Sequence, residues 1–212
     1  MKKLLFLLLI IPLVSFNKAH KEWTKSEISN ADVARHINSI SDFEKDIILY
    51  HNLVRLYPKK FLELEILNWI EDVYPKDTQK FDFIWEKTNL NSHYFKSLVN
   101  TLKNQKKLSK LEFNFQLYKD ALCLAKEQSK NGKTGHQRHK CKEVSYWENC
   151  DYASYNGRDV VNSLLVDEGV SDLGHRKNIL NPNLSIIGGA VSSHPEYETV
   201  IVIDYCNENC NI

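Results

Sequence analysis

The sequence predicts an α+β fold, an α-β-α sandwich in which an antiparallel sheet is covered by helices on both faces. Two observations lead to this prediction. From position 43 to position 129 apolar residues recur at helical spacing, with interruptions. After position 144, short apolar and β-branched runs alternate with short helical ones. Helices followed by strands interleaved with helices suit a sheet that is packed on both sides.

The N-terminus has the pattern of an export signal. Met1-Lys2-Lys3 is followed by an apolar run from Leu4 to Val14. An apolar core of about a dozen residues is typical of a signal peptide, because a membrane span needs roughly 20. We therefore expect a signal peptide at 1–19 and a secreted or periplasmic protein with no membrane span after cleavage; a retained anchor helix is the alternative. The polar residues 20–41 are interpreted as a loose N-terminal arm.

The rest of the chain, 42–212, is long enough for one domain with a substantial core. The first helix is predicted from Phe43 to Leu56, and Pro58 interrupts it. Residues 71–95 show no strong period and are interpreted as an insertion. Further helices are predicted over 94–102, 111–129 and 157–166, the second of them stopped by Asn131-Gly132.

Strands are predicted over 144–148, 184–191 and 199–205. The run from Thr199 to Tyr205 is rich in β-branched residues and alternates only weakly, which indicates burial on both faces. It is therefore expected to be central, or next to central, in the sheet. Gly188-Gly189 lies inside the preceding strand, where glycine indicates a bulge or a close approach of another backbone.

Charge and cysteine content limit the possible partners and the compartment. The net charge of +1 gives no electrostatic case for binding nucleic acid. Export would place the five cysteines in an oxidising compartment. Cys141 and Cys150, nine residues apart, are the first candidate disulfide, and Cys206 and Cys210 are the second. Cys123 falls within a helical apolar pattern and is interpreted as a buried free thiol.

Four short motifs occur in a characteristic order. Gly135-His136 follows the long helix, Glu148-Asn149 comes next, then Asp167-Glu168, and finally the run Gly174-His175-Arg176-Lys177-Asn178-Ile179-Leu180. This order resembles the bacterial branch of the CAP superfamily, the cysteine-rich secretory, antigen 5 and pathogenesis-related proteins. The first helix, with Asn52 and Arg55 before a proline, is similar to the first helix of bacterial CAP domains. The resemblance implies the same α-β-α sandwich.

The resemblance also implies a metal site. In this family two histidines and two acidic residues converge in a cleft that commonly binds a divalent metal, most often zinc. Imidazole is a good zinc ligand, and carboxylates can complete such a site. Carried over residue by residue, the expected metal ligands are His136, His175, Glu148 and either Asp167 or Glu168. Trp147 stands where the family usually has glycine.

Three functions follow as hypotheses. The first is an exported CAP-domain protein that binds a divalent metal, or a small-molecule, lipid or protein ligand, without established catalysis. The second is a metal-dependent hydrolase in which Glu148 or Asp167 acts as a base on metal-bound water. Against it, the sequence has neither H-E-x-x-H nor G-x-S-x-G. The third is a structural zinc site built from the following residues: His136, His139, Cys141 and Cys150.

Overall fold

The computed structural model describes residues 22–69, 92–142 and 147–210. The predicted signal peptide and most of the predicted insertion, up to residue 91, lie outside the described residues. Within the described ranges, no helix is long and apolar enough to cross a lipid bilayer.

Seven α-helices are assigned within the described part of the chain. They are α1 Lys25–Ala31, α2 Asp42–Leu56, α3 Pro58–Phe61, α4 His93–Asn104, α5 Phe115–Asn131, α6 Gly157–Val166 and α7 Gly174–Ile179. A π-helical turn, Leu62–Ile66, continues α3. The helices predicted over 43–56, 94–102 and 157–166 are therefore confirmed, apart from small shifts at their ends. The helix predicted over 111–129 is confirmed from residue 115 onward, but Glu112–Phe113 is a strand and not part of it.

The N-terminal residues are more ordered than the sequence suggested. Helix α1 begins with a capping box, in which Thr24 accepts from the Glu27 backbone and Glu27 accepts from the Thr24 backbone. Ala31, at the end of this helix, is fully buried, and α1 packs against α2. The expectation of a loose arm is therefore wrong for this segment, because its few apolar residues are enough to dock a short helix.

The sheet contains β1 Glu112–Phe113, β2 Trp147–Tyr152, β3 Ile186–His194 and β4 Glu198–Cys206, in the order β1-β3-β4-β2. β4 is an inner strand, as predicted, and pairs antiparallel with both β2 and β3. The short β1 pairs parallel to β3, so the sheet is mixed rather than fully antiparallel. β2 lies at the edge of the described sheet, and this edge carries the candidate site.

Helices lie on both faces of the sheet. A Cβ at Gly188 would come within 2.2 Å of the Tyr118 backbone nitrogen, so α5 lies directly on one face of β3. A Cβ at Gly189 would point to the other face and make an ordinary 3.4 Å contact with Ile47 of α2. The prediction of close backbone approach at these glycines is confirmed at Gly188.

Arg55 joins α2 to the end of α7. Its guanidinium group is fully buried and donates four hydrogen bonds of 2.8–2.9 Å to backbone carbonyls, namely those of Ser109, Ile179, Asn181 and Leu184. Asn52, one turn earlier, donates to the carbonyls of Ala31 and Leu111. These two polar residues of α2 therefore fix the loops that border the sheet.

The disulfide pairing differs from the expected one. Cys123 is bonded to Cys141, with Cα atoms 5.9 Å apart, and Cys150 is the buried free cysteine of the described residues. Both the Cys141–Cys150 pairing and the free Cys123 are therefore wrong. Cys123 lies on the exposed side of α5, within reach of the segment that follows the helix, whereas Cys150 points into the buried face of β2. Cys206–Cys210 is bonded as expected.

Candidate functional site

The segment after α5 brings the first histidine to the edge of the sheet. Gly132 ends α5 in the left-handed conformation, with φ of 65°, which glycine adopts without steric cost. The Gly135 backbone nitrogen then donates to the Tyr152 hydroxyl at 2.7 Å, and Cys141 ties the end of the segment back to α5. The positions on both sides of His136 are thus fixed.

His136 forms the first histidine–carboxylate pair. Its Nδ1 lies 2.8 Å from Oε1 of Glu148, and this hydrogen bond raises the pKa of His136. The other oxygen of Glu148 accepts from Arg138, which also lies 3.4 Å from Asp204. Both oxygens of Glu148 are therefore engaged, while 57% of the His136 side chain remains exposed to solvent.

His175 forms the second pair. Its Nδ1 lies 2.7 Å from Oδ1 of Asp167, whose other oxygen accepts from the Arg176 backbone nitrogen at 3.1 Å. Asp167 is buried and ends α6 in the left-handed conformation. The next residue, Glu168, accepts instead from the Ser92 hydroxyl at 2.7 Å. Of the two acids that the sequence left open, Asp167 is the one that meets a histidine.

Helix α7 is bound to the edge strand next to both pairs. The Asn178 side chain donates to the Glu148 carbonyl at 3.3 Å and to the Asn149 side chain at 2.8 Å. Asn149 in turn donates to the His175 carbonyl at 3.2 Å. The backbone that carries His175 is therefore hydrogen-bonded to the two strand residues Glu148 and Asn149.

A buried chain of hydrogen bonds connects Asn149 of the edge strand to helix α2. His51 donates through Nδ1 to the Ile47 carbonyl, so its Nε2 accepts from the Tyr205 hydroxyl, at 2.7 Å each. The Tyr205 oxygen accepts from Asn149 at 3.1 Å. Burial lowers the pKa of His51 to about 4, so the ring is neutral, as this bonding pattern requires. The sequence had indicated His51 only as a helix residue.

Sequence reasoning missed two further residues beside Glu148. Asp204 is the cross-strand partner of Glu148, so both side chains lie on one face, and burial followed by the Glu148 charge raises the pKa of Asp204 to about 8. Cys150, two residues after Glu148, points to the same face, and burial raises the pKa of its thiol. The two-residue period of β2 could have indicated Cys150, but this cysteine had been assigned to a disulfide.

One group of possible metal ligands stands out in the described ranges. Ligand atoms of His136, Glu148 and Cys150 all lie within 4.8 Å of one another. His175 is not part of this group. The structural zinc site with His139 and Cys141 is wrong, because the Cys141 sulfur is in a disulfide and His139 is exposed, with Nε2 3.3 Å from the Lys133 ammonium.

Comparison with known proteins supports the family resemblance that the order of the motifs indicated. The family model described as "Cysteine-rich secretory protein family" (CAP) matches residues 96–205, just over half of the 212-residue chain, and this region contains both histidine–carboxylate pairs. A search of curated proteins finds no match. The α+β fold and the family match agree, and the chain belongs to the CAP, or cysteine-rich secretory protein, family.

Proposed function

We propose that this chain is an exported CAP-domain protein whose cleft binds one divalent metal ion, zinc, between His136 and His175. The observation that supports this most is shared by the two histidines: each offers Nδ1 to a carboxylate at 2.7–2.8 Å. Each ring thereby keeps Nε2 for a ligand. The protein would act by binding and not by catalysis.

The carboxylates have a defined role in this proposal. Metal-bound histidines usually donate their second ring nitrogen to a carboxylate or carbonyl, which fixes the tautomer and the orientation of the ring. Glu148 and Asp167 fit that role, because each is largely buried and each is also held through its second oxygen. We therefore propose that they orient the two imidazoles, and that Glu168 takes no part.

The same contacts argue against the hydrolase alternative. A general base must lie within hydrogen-bond reach of the attacking water. Both oxygens of Glu148 already accept from His136 and Arg138, and both oxygens of Asp167 accept from the next helix. Only the second lone pair of each oxygen is left for a water, so both carboxylates are better placed to orient the histidines than to act as bases.

An exposed aromatic side chain favours a second occupant, a small or lipidic molecule. Trp147, directly before Glu148, is a large apolar residue that is 39% exposed at the start of the edge strand. An apolar ligand that rests on this ring should shift its fluorescence emission to shorter wavelength, because it replaces water around the indole. A Trp147→Ala variant that binds such a ligand with unchanged affinity would contradict this contact.

Export is the remaining part of the proposal. The apolar N-terminal run supports it, and the two disulfides are compatible with an extracellular location. N-terminal sequencing of the protein recovered outside the cytoplasm of a bacterial host tests this directly. A mature N-terminus near residue 20 is expected, and a protein that stays in the cytoplasm with Met1 intact would contradict export.

Zinc titration by calorimetry tests the metal site. His136→Ala and His175→Ala should each weaken binding by at least about 10-fold, the lower end of the loss seen when even a supporting residue is removed. His139→Ala is the matched control, because His139 lies on the same segment and is exposed. Full affinity in the His175→Ala variant would mean that the two histidines do not share an ion.

A further inference from the structure

Cys150 is a buried thiol in a polar corner of the site. Its Sγ lies 3.5 Å from the Gly135 carbonyl, 3.7 Å from Nδ1 of His136 and 3.9 Å from Oε1 of Glu148. An inert core cysteine is usually surrounded by apolar groups, as a small hydrophobic residue. Here the sulfur instead faces an imidazole nitrogen and a carboxylate oxygen, two atom types that commonly bind metal ions.

The three donor atoms have the spacing of one face of a tetrahedral metal site. Their separations are 2.8 Å between nitrogen and oxygen, 3.7 Å between sulfur and nitrogen, and 3.9 Å between sulfur and oxygen. Zinc bond lengths of about 2.0 Å to nitrogen or oxygen and about 2.3 Å to sulfur imply edges of roughly 3.3 and 3.5 Å. Each donor would have to move by about half an ångström or less to bind one ion.

The surroundings also suit a cation. Asp204 lies opposite Glu148 on the same face of the sheet, and its Oδ1 is buried without a hydrogen-bond partner among the described residues. A bound cation would favour the ionised form of Asp204, whose charge would then offset that of Arg138, which is held by the second oxygen of Glu148. The exposed His136 ring leaves a route for an ion and for a water as fourth ligand.

We propose that His136 Nδ1, Glu148 Oε1 and Cys150 Sγ form a binding site for one thiophilic metal ion of the class of Zn²⁺, Cd²⁺ and Cu⁺. The metal–sulfur bond replaces the S–H bond, and the proton passes to solvent. The site takes Nδ1 of His136 as a ligand, whereas the shared-ion cleft needs that nitrogen protonated and bonded to Glu148. The two sites are therefore alternative uses of one imidazole, and the thiolate site does not involve His175. Thiolate ligation would select against hard ions such as Mg²⁺ and Ca²⁺.

Cobalt(II) is a suitable probe, because a cobalt–thiolate bond adds a charge-transfer absorption band in the near ultraviolet. Titration of the full chain, with its disulfides intact, should produce this band in the wild type and in His175→Ala. Cys150→Ser and Cys150→Ala should lose it while keeping the wild-type far-ultraviolet circular dichroism. Excess Mg²⁺ should leave the band unchanged, and Cd²⁺ should abolish it.

Several results would overturn the proposal: no cobalt bound by the wild type, bound cobalt without the band, or a band that persists in either Cys150 variant. The His175→Ala variant tests the role of His175 separately. If His175→Ala loses zinc affinity and the wild type shows no thiolate band, the shared-ion cleft is supported and the Cys150 site fails. If His175→Ala keeps both zinc affinity and the band, the reverse holds.

Discussion

The Cys123–Cys141 disulfide joins α5 to the segment that carries His136, across a sequence separation of 18 residues. Replacing both cysteines by serine removes the cross-link without leaving an unpaired thiol. The bond stabilises mainly by lowering the loop-closure entropy of the unfolded chain, and for a loop of this length the expected loss on its removal is about 3 kcal/mol at 25 °C. Because native proteins are marginally stable, this is a large share of the free energy of unfolding.

Urea unfolding followed by tryptophan fluorescence measures this loss, provided that the transition is two-state. The matched control is the Cys206→Ser/Cys210→Ser variant, whose disulfide spans a sequence separation of only 4 residues. The same entropy relation gives about 2 kcal/mol for the shorter loop. The longer loop should therefore cost more stability, although the chemical change in the two variants is identical.

Two results would refute this reasoning. One is a loss below about 1 kcal/mol for the Cys123→Ser/Cys141→Ser variant, since that is well under the value for its loop length. The other is a non-reducing peptide map in which Cys141 is joined to Cys150. That map would restore the pairing expected from sequence and would remove the free thiol from the site.

Three further predictions concern stability. Gly188→Ala should lower the free energy of unfolding by roughly 3 kcal/mol or more, because its Cβ would overlap the Tyr118 backbone. Gly189→Ala should change the free energy of unfolding by less than about 1 kcal/mol, and equal losses in calorimetry would contradict the packing of α5. Burial lowers the pKa of His51 to about 4, so stability should fall as pH drops from about 6.5 towards 4, by up to about 3 kcal/mol. Urea unfolding of His51→Gln should lack this contribution; an unchanged pH dependence would refute it. Arg55→Met should cost at least about 3 kcal/mol in urea unfolding, because it leaves four carbonyls without their donor; a cost below about 1 kcal/mol would contradict that role.

The elements with local signals were predictable from the sequence. Helix α6 was predicted with the bounds Gly157–Val166 that the structure has, because its apolar stripe is continuous. In the structure Asn156 caps its start. The stop of α5 at Gly132 and the inner position of β4 followed from glycine chemistry and from weak alternation. In each case the signal lies within a few residues of the feature.

The features that depend on distant contacts were not predictable. The choice of Cys123 as the partner of Cys141 depends on which side of α5 faces the following segment. The sequence left both Asp167 and Glu168 as candidate ligands. Only the left-handed turn at the end of α6 distinguishes them, because it directs these consecutive side chains to different partners. Asp204 looked like part of an apolar strand, and its role appears only in register with Glu148.

The number of zinc ions held per chain tests the shared-ion cleft most directly. Equilibrium dialysis of the purified protein against zinc near neutral pH, followed by elemental analysis, measures it. One zinc per chain is expected in the Cys150→Ala variant, which lacks the thiolate site, and none when His136→Ala and His175→Ala are added to it. Two ions per Cys150→Ala chain would mean that each histidine–carboxylate pair binds separately, and no zinc in that variant, or one after both histidines are replaced, would contradict the site itself.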